Sequence, residues 1–295
     1  MTVSSLDAMA GHTAVVTDSA ASLPPALADK WGIRVVPLLV TIDGEAHDEG
    51  AGVTSDDVLD ALVGGSAVST SQPSVARFDE AFAAAARAGA THVVAVLISG
   101  KMSGTVNGAR AAAEGASVPV TIVDSETLAM ATGFAALAAA ARARAGATPD
   151  EVAEAARAVA KSSRCVFTVD TLEHMRRGGR VSPAIAAVGK VLSIRPVLEM
   201  VDGEVQMVDK VRSTQRARAA VMARAGEAVA ALDRPAAAVM VLGEGDFGDD
   251  AARALEAAHP DLAMLVRTPV SAVLAGHTGP GTLAAVVVEL PVDVS

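Results

Sequence analysis

The 295 residues are enough for about two domains with their own cores, and a hydrophobic content of 51% excludes a disordered chain. With 24 Lys and Arg against 34 Asp and Glu, the net charge of −10 argues against a general binder of nucleic acid or of anionic membranes, and one Trp, five Phe and no Tyr leave no platform for stacking bases. Cys165 is the only cysteine, which excludes an intramolecular disulfide and a multi-cysteine zinc site.

Thr13 to Thr17 reads as a first strand ending at Asp18-Ser19, and Ile33 to Thr41 as a second. His92 to Ser99 is a third, nearly all apolar, as a strand covered on both faces should be. Val120 to Asp124 is a fourth. Helix signatures lie between them at Pro25 to Trp31, Ser55 to Val63, Val75 to Ala88 and Gly104 to Glu114. This alternation predicts a parallel α/β sheet, with polar residues gathered at the C-terminal ends of its strands, where such sheets bind ligands. Thr148-Pro149-Asp150-Glu151 carries the spacing of a capping box and opens another helix, and a domain boundary is expected within residues 147–163.

Strand-like runs continue at Cys165 to Val169, Ser193 to Met200, Glu204 to Val211, Ala237 to Leu242, Leu262 to Thr268 and Leu283 to Leu290. Asp202-Gly203 between two of them signals a β-hairpin, so the second sheet should be mixed. The expected fold class is therefore α/β in two domains. Residues 1–155 form an N-terminal domain with a parallel sheet in three layers, and residues 156–295 form a two-layer C-terminal domain with a mixed sheet. Met1 to Gly11 has no basic n-region and no long apolar core, and no apolar run approaches about 18–20 residues, so a soluble cytoplasmic protein is expected.

Several segments can carry chemistry. Ser69-Thr70-Ser71-Gln72-Pro73-Ser74 offers four hydroxyls just before a helix, where capping would need one. Ser99-Gly100-Lys101-Met102-Ser103-Gly104-Thr105 joins a strand to a helix and is either an ordinary turn or an anion or carboxylate site; it matches neither a P-loop nor a nucleophile elbow. Gly276-His277-Thr278-Gly279-Pro280-Gly281 sets one His among glycines, placed to donate to an oxyanion or to act as acid or base. From His174 to Arg218 nine Lys/Arg face four acids, either a solvated face or a surface for phosphate or an acidic partner. Cys165 reads as a buried strand cysteine. Gly243 to Gly248 formally matches a dinucleotide fingerprint, but Glu244 and Asp246 would repel a pyrophosphate.

Together these segments resemble the DegV family, bacterial fatty-acid-binding proteins that serve as carrier subunits of fatty acid kinase. The resemblance rests on Val15-Val16-Thr17-Asp18-Ser19, Val36-Pro37-Leu38, Thr70-Ser71-Gln72-Pro73, Met102-Ser103-Gly104-Thr105, Val123-Asp124-Ser125, Gly178-Gly179-Arg180-Val181-Ser182, Lys210-Val211-Arg212 and His277-Thr278-Gly279-Pro280-Gly281, in family order over nearly the whole chain. Met102 stands where Leu is usual, and Val106 where an aromatic is common. The resemblance implies a buried long-chain fatty acid as ligand, with Thr70, Ser103 and His277 around its carboxylate and Ser71, Ser99, Gly104, Thr105 and Thr278 supporting the pocket. It implies that Arg180 and Arg212 serve phosphoryl transfer or kinase docking. It further implies no metal, no cofactor and no catalysis by this chain alone: a separate ATP-dependent fatty acid kinase makes the acyl phosphate, which leads to phospholipid synthesis, and transient membrane contact is compatible with that role.

The physical reading agrees. About fourteen methylenes at ~0.8 kcal/mol each gain roughly 11 kcal/mol on burial, before entropic costs. A buried carboxylate opposes this unless several donors receive it, and uncharged donors leave its oxygens able to attack phosphorus. The competing expectation is an enzyme for a small phosphorylated or carboxylated metabolite, with His277 as acid–base and Arg180 and Arg212 as phosphate clamps. The two differ in the pocket, which is long and apolar for a carrier, short and polar for a metabolite enzyme.

Overall fold

The computed structural model describes residues 12–188, 194–243 and 246–294. In chain order the first part runs β1 (Thr13–Asp18), α1 (Pro25–Trp31), β2 (Arg34–Val36), β3 (Leu39–Ile42), β4 (Glu45–Asp48), α2 (Ser55–Gly64), β5 (Val68–Ser71), α3 (Val75–Arg87), β6 (His92–Leu97), α4 (Thr105–Ala113) and β7 (Val120–Asp124). Strands β2-β1-β6-β7 pair in that order, all in parallel. The sheet is apolar on both faces, as the unbroken run in β6 requires. Val93, Ala95 and Leu97 meet Phe78 and Phe82 of α3 and Val106 of α4, while Val94 and Val96 face the opposite layer.

The second expected strand is two strands. Pro37 has no N–H to donate, and the ladder ends there. Leu38 instead donates its amide to Ser19 Oγ at 2.9 Å. The chain then turns into β3, which belongs to a separate antiparallel sheet ordered β4-β3-β5. This small sheet was not foreseen. It also changes the reading of the hydroxyl cluster: Ser69, Thr70 and Ser71 lie in β5, and Ser74, at the N-cap of α3, makes no side-chain capping bond.

Next come α5 (Met130–Arg144) and α6 (Pro149–Ser162). The capping box of α6 is present: Glu151 Oε2 accepts the Thr148 amide at 2.8 Å, and the Glu151 amide donates to Thr148 Oγ1. Met130 to Ala140 of α5 are all buried, as expected of a helix apolar on every side. The cause is its position. With α6 it forms a layer between the parallel sheet, touched at β1 and β6, and the second sheet, touched at β13. Its alanines let both sheets approach closely.

The second sheet is built from β8 (Arg164–Thr168), β9 (Arg195–Val201), β10 (Glu204–Val211), β11 (Pro235–Leu242), β12 (Met264–Pro269) and β13 (Thr282–Glu289), with α7 (Glu173–Arg177), α8 (Pro183–Val188), α9 (Thr214–Ala230), α10 (Phe247–Ala258) and α11 (Ala272–Thr278) between them. Its order is β10-β9-β8-β13-β11-β12, mixed as expected, with β11–β12 the parallel pair. The β9–β10 hairpin turns at Asp202 (φ 49°) and Gly203 (φ 80°), a two-residue turn whose left-handed backbone suits glycine. Alternation divides the sheet cleanly. Val166, Ala237, Val239, Leu283 and Ala285 pack under α9 and α10, whereas Cys165, Phe167, Met240 and Ala284 face the α5–α6 side. The expected strand residue Ser193, and Glu244 and Gly245 of the dinucleotide-like segment, lie outside the described residues. Among the described residues no helix is long and apolar enough to cross a membrane.

Candidate functional site

A cavity of about 790 Å³, open mouth included, lies between the small antiparallel sheet, α11 and the inward face of the mixed sheet. Its apolar wall is a row across three strands. Phe167 of β8 pairs with Ala284 of β13, and Ala284 pairs with Met240 of β11. Cys165, two residues before Phe167, lines the same wall, and Ile98, Leu128, Met102, Met175, Val205 and Leu274 complete it. Burial, with Glu199 adding to it, pushes the Cys165 thiol up to about 12, so it stays protonated and packs as a small apolar group. Period-two alternation in β8, β11 and β13 carried the signal for this wall.

The polar lining is gathered from short segments: Thr70, Ser71 and Gln72 from β5 and its end, Ser103 from the loop before α4, Arg180 after α7, His277 and Thr278 at the end of α11, and Thr282 opening β13. Thr70 Oγ1 and His277 Nε2 are 2.7 Å apart. His277 sits in the last turn of α11, which places its ring against Thr70 of β5. Burial, and secondarily the Arg180 charge, lowers its pKa to about 4. The ring is therefore neutral near pH 7. With its proton on Nε2 it donates to Thr70 and frees the threonine hydroxyl proton for an oxyanion. Nδ1 and Thr278 Oγ1 are buried without a protein partner. Ser103 Oγ is 2.8 Å from Thr105 Oγ1 and accepts the Thr105 amide at 3.3 Å, so Thr105 orients it from a fully buried position.

Two glycines make room for this cluster. A Cβ at Gly178 would run into His277 Nδ1, and one at Gly104 into the Gln72 amide. Gln72 lines the cavity but had no role assigned from sequence; its place beside Thr70 and Ser71 in one motif was the available signal. Arg180 donates from Nε to the Met102 carbonyl at 3.1 Å and from Nη1 to the Gly178 carbonyl. It lines the cavity, so the polar lining includes a cation.

The remaining candidates lie elsewhere. Ser99 does not line the cavity: its Oγ donates to the Gly203 carbonyl at 2.7 Å, and Lys101 Nζ donates to the Asp202 carbonyl at 2.7 Å, tying the Ser103 loop to the β9–β10 turn. Gly104 and Thr105 support from behind. Arg212 follows β10 on the surface, away from the cavity lining. Among the described residues no group of His, Cys, Asp and Glu has the arrangement to hold a metal ion.

Comparison with known proteins places this architecture. Residues 12–290 match the family described as "Uncharacterised protein, DegV family". A DegV domain-containing protein of Streptomyces coelicolor is 39% identical over 95% of this chain and 99% of its own length. One from Mycobacterium tuberculosis is 36% identical over 91% and 94%. Among solved structures, a Thermus thermophilus DegV family protein, described for its fatty acid binding, superimposes with a TM-score of 0.84 at 31% identity, covering 95% of this chain and all of the other. DegV of Bacillus subtilis, described as a fatty acid binding protein, gives 0.87 at 26% identity over 95% and 99%.

Proposed function

The chain belongs to the DegV family, and from that premise we propose that its cavity holds a long-chain fatty acid, carboxylate toward Thr70, Ser103 and His277, acyl chain against the row Phe167, Ala284 and Met240. The observation that carries this reading is the composition of the lining: hydrogen-bonding side chains gather around the Thr70–His277 pair, and the sheet wall is apolar and sulfur-bearing. Burial of the chain supplies affinity at about 0.8 kcal/mol per methylene, and the polar cluster offsets the cost of burying the head. Related proteins described as binding fatty acids support the ligand class. Arg180, beside the cluster, is placed to steady negative charge on the head, and exposed Arg212 suits contact with an acidic or phosphate-bearing partner. In this proposal a separate ATP-dependent kinase phosphorylates the presented carboxylate, and this chain itself performs no chemistry. Loading by brief membrane contact fits the same scheme. The apolar wall disfavours the metabolite-enzyme reading, which needs a polar pocket.

Native mass spectrometry of protein purified from bacteria tests the ligand. A co-purified acyl chain, or uptake of added oleate or palmitate, is the expected result. Protein that is consistently empty and takes up neither overturns the reading.

A further inference from the structure

A fatty acid held in the cavity must satisfy two sheets at once. The head-group donor Ser103 lies in the loop that leaves β6 of the parallel sheet, whereas the acyl wall stands on β8, β11 and β13 of the mixed sheet. Head and tail are received together only if these two frameworks are fixed against each other. One joint beside the cavity does this. The Ser99 carbonyl accepts the Met102 amide at 3.0 Å and the Ser103 amide at 3.1 Å, which makes Ser99 the base of the Ser103 loop. Ser99 is fully buried; its Oγ accepts the Lys101 amide at 3.2 Å and donates to the Gly203 carbonyl at 2.7 Å. Lys101 Nζ donates to the adjacent Asp202 carbonyl, also at 2.7 Å. From behind, the Gly100 amide donates to Asp124 Oδ1 at the end of β7, at 3.1 Å. The turn that receives these bonds fits closely. Gly203 has φ 80°, and a Cβ there would stand 2.9 Å from Ser99 Oγ and 3.3 Å from Lys101 Cδ. Two residues on, Val205 is buried and lines the cavity, as Met102 and Ser103 do on the other side of the joint.

We propose that Ser99, Lys101 and Gly203 are positioning residues: they clamp the Ser103 loop to the β9–β10 turn and so set the head-group donor in register with the acyl wall. The proposal rests on reading the cavity as the acyl site. None of the three lines the cavity, so each acts through Ser103. Hydrogen bonds demand close approach and alignment, whereas apolar burial is non-directional. A slip of the loop therefore costs the head its donor while the tail stays packed.

The test loads the full chain with palmitate isotopically labelled at its carboxyl carbon, whose magnetic resonance reports the hydrogen bonds that carboxylate receives. Lys101 is exposed, so Lys101→Met removes one donor without disturbing the core, and Lys101→Arg supplies one again. Lys101→Met should move the resonance in the direction that Ser103→Ala moves it, and Lys101→Arg should return it toward the wild-type position. Ser99→Ala, which loses the bond to Gly203 and the one from the Lys101 amide, should move it further. In a Ser103→Ala background neither Lys101→Met nor Ser99→Ala should shift it again, because the clamp then has no donor left to place. Palmitate retention should fall by less than about threefold in the single clamp variants. If Ser99→Ala fails to fold, the Lys101 pair decides. An unmoved resonance in Lys101→Met, a shift that persists in the Ser103→Ala background, or no return in Lys101→Arg overturns the proposal. If the wild type takes up no palmitate, amide hydrogen exchange of the lipid-free chain decides: Met102 and Ser103 should exchange about threefold faster in Lys101→Met. That result upholds the clamp and overturns only the acyl reading, and unchanged exchange overturns both.

Discussion

The apolar wall of the cavity is a row of side chains on neighbouring strands, whereas its polar cluster is assembled from five short segments separated by up to about two hundred residues of chain, as in the contact between Thr70 and His277. In the row, ladder hydrogen bonds fix the register, and alternation decides which side chains face inward. In the cluster no repeating element sets positions. Each group is held by individual contacts: His277 over Gly178, Gln72 over Gly104, Arg180 on two carbonyls, and the Ser103 loop on the β9–β10 turn. The wall should therefore tolerate change in proportion to volume. The cluster should fail at single added atoms.

The largest expected effect lies in the wall. Ala284→Leu sets a branched side chain between Phe167 and Met240 and displaces about three methylenes of a bound chain, at a cost of ~2.4 kcal/mol or roughly 50-fold in affinity for the longest acids. Titration with acids of increasing length should show short chains unaffected; equal loss at every length would place the acyl chain elsewhere. In the cluster, Gly178→Ala drives a Cβ into the His277 ring and moves it off Thr70. Acyl phosphate formation with a supplied kinase should fall about tenfold or more, and lipid retention much less, because displacement of reacting groups affects rate before affinity. Retention lost in equal measure would make the cluster an anchor instead of an orienting device. His277→Ala and Ser103→Ala should show the same split.

The two arginines sharpen the comparison further. Arg180→Ala should weaken fatty acid retention by about fivefold as well as turnover, since a cation beside a partly buried carboxylate is removed. Arg212→Ala should leave retention unchanged, because that side chain lies outside the cavity. Retention assays on the two proteins side by side decide between these placements.

The smallest net effect is in pH stability. The Asp18 carboxyl is raised to about 7, so its contribution is full below its unfolded value of 3.8 and is lost as pH rises toward 7. His277 is lowered from 6.5 to about 4, so its contribution is full above 6.5 and is lost as pH falls toward 4. At about 1.4 kcal/mol per pKa unit, the two slopes are similar in size and opposite in sign. In thermal unfolding between about pH 4 and 6.5, each variant should therefore depart from the wild-type profile in the direction of the slope it has lost. Asp18→Asn should become less stable toward acid, and His277→Ala more stable toward acid, each relative to its own value at the upper end of the window. Parallel curves in all three proteins would contradict the burial that causes both shifts.

Much of this was legible in the chain. The strands of the parallel sheet, the Thr148–Glu151 capping box, the Asp202-Gly203 hairpin and the mixed second sheet followed from local pattern, because each depends on residues within a few positions of one another. The motifs that resemble the DegV family brought Thr70, Ser103 and His277 into view, and the structure gathers them around one cavity. Other features were not legible. Ser99 reads like its neighbours, yet it ties two sheets together through Gly203. The small sheet hangs on a single break at Pro37 within a run that looks continuous.

From the sequence alone come the fold class, the alternation that makes one face of each strand apolar, and the residue types able to receive a carboxylate; all are properties of short windows, where backbone geometry and hydrophobic period act directly. Only the tertiary structure decided that β5 and α11 meet, that Arg180 turns inward, and that Asp18 is shut away from water at the end of β1. Those outcomes arise where segments distant in the chain are pressed together, and what a polar group does there depends on which neighbours exclude water from it.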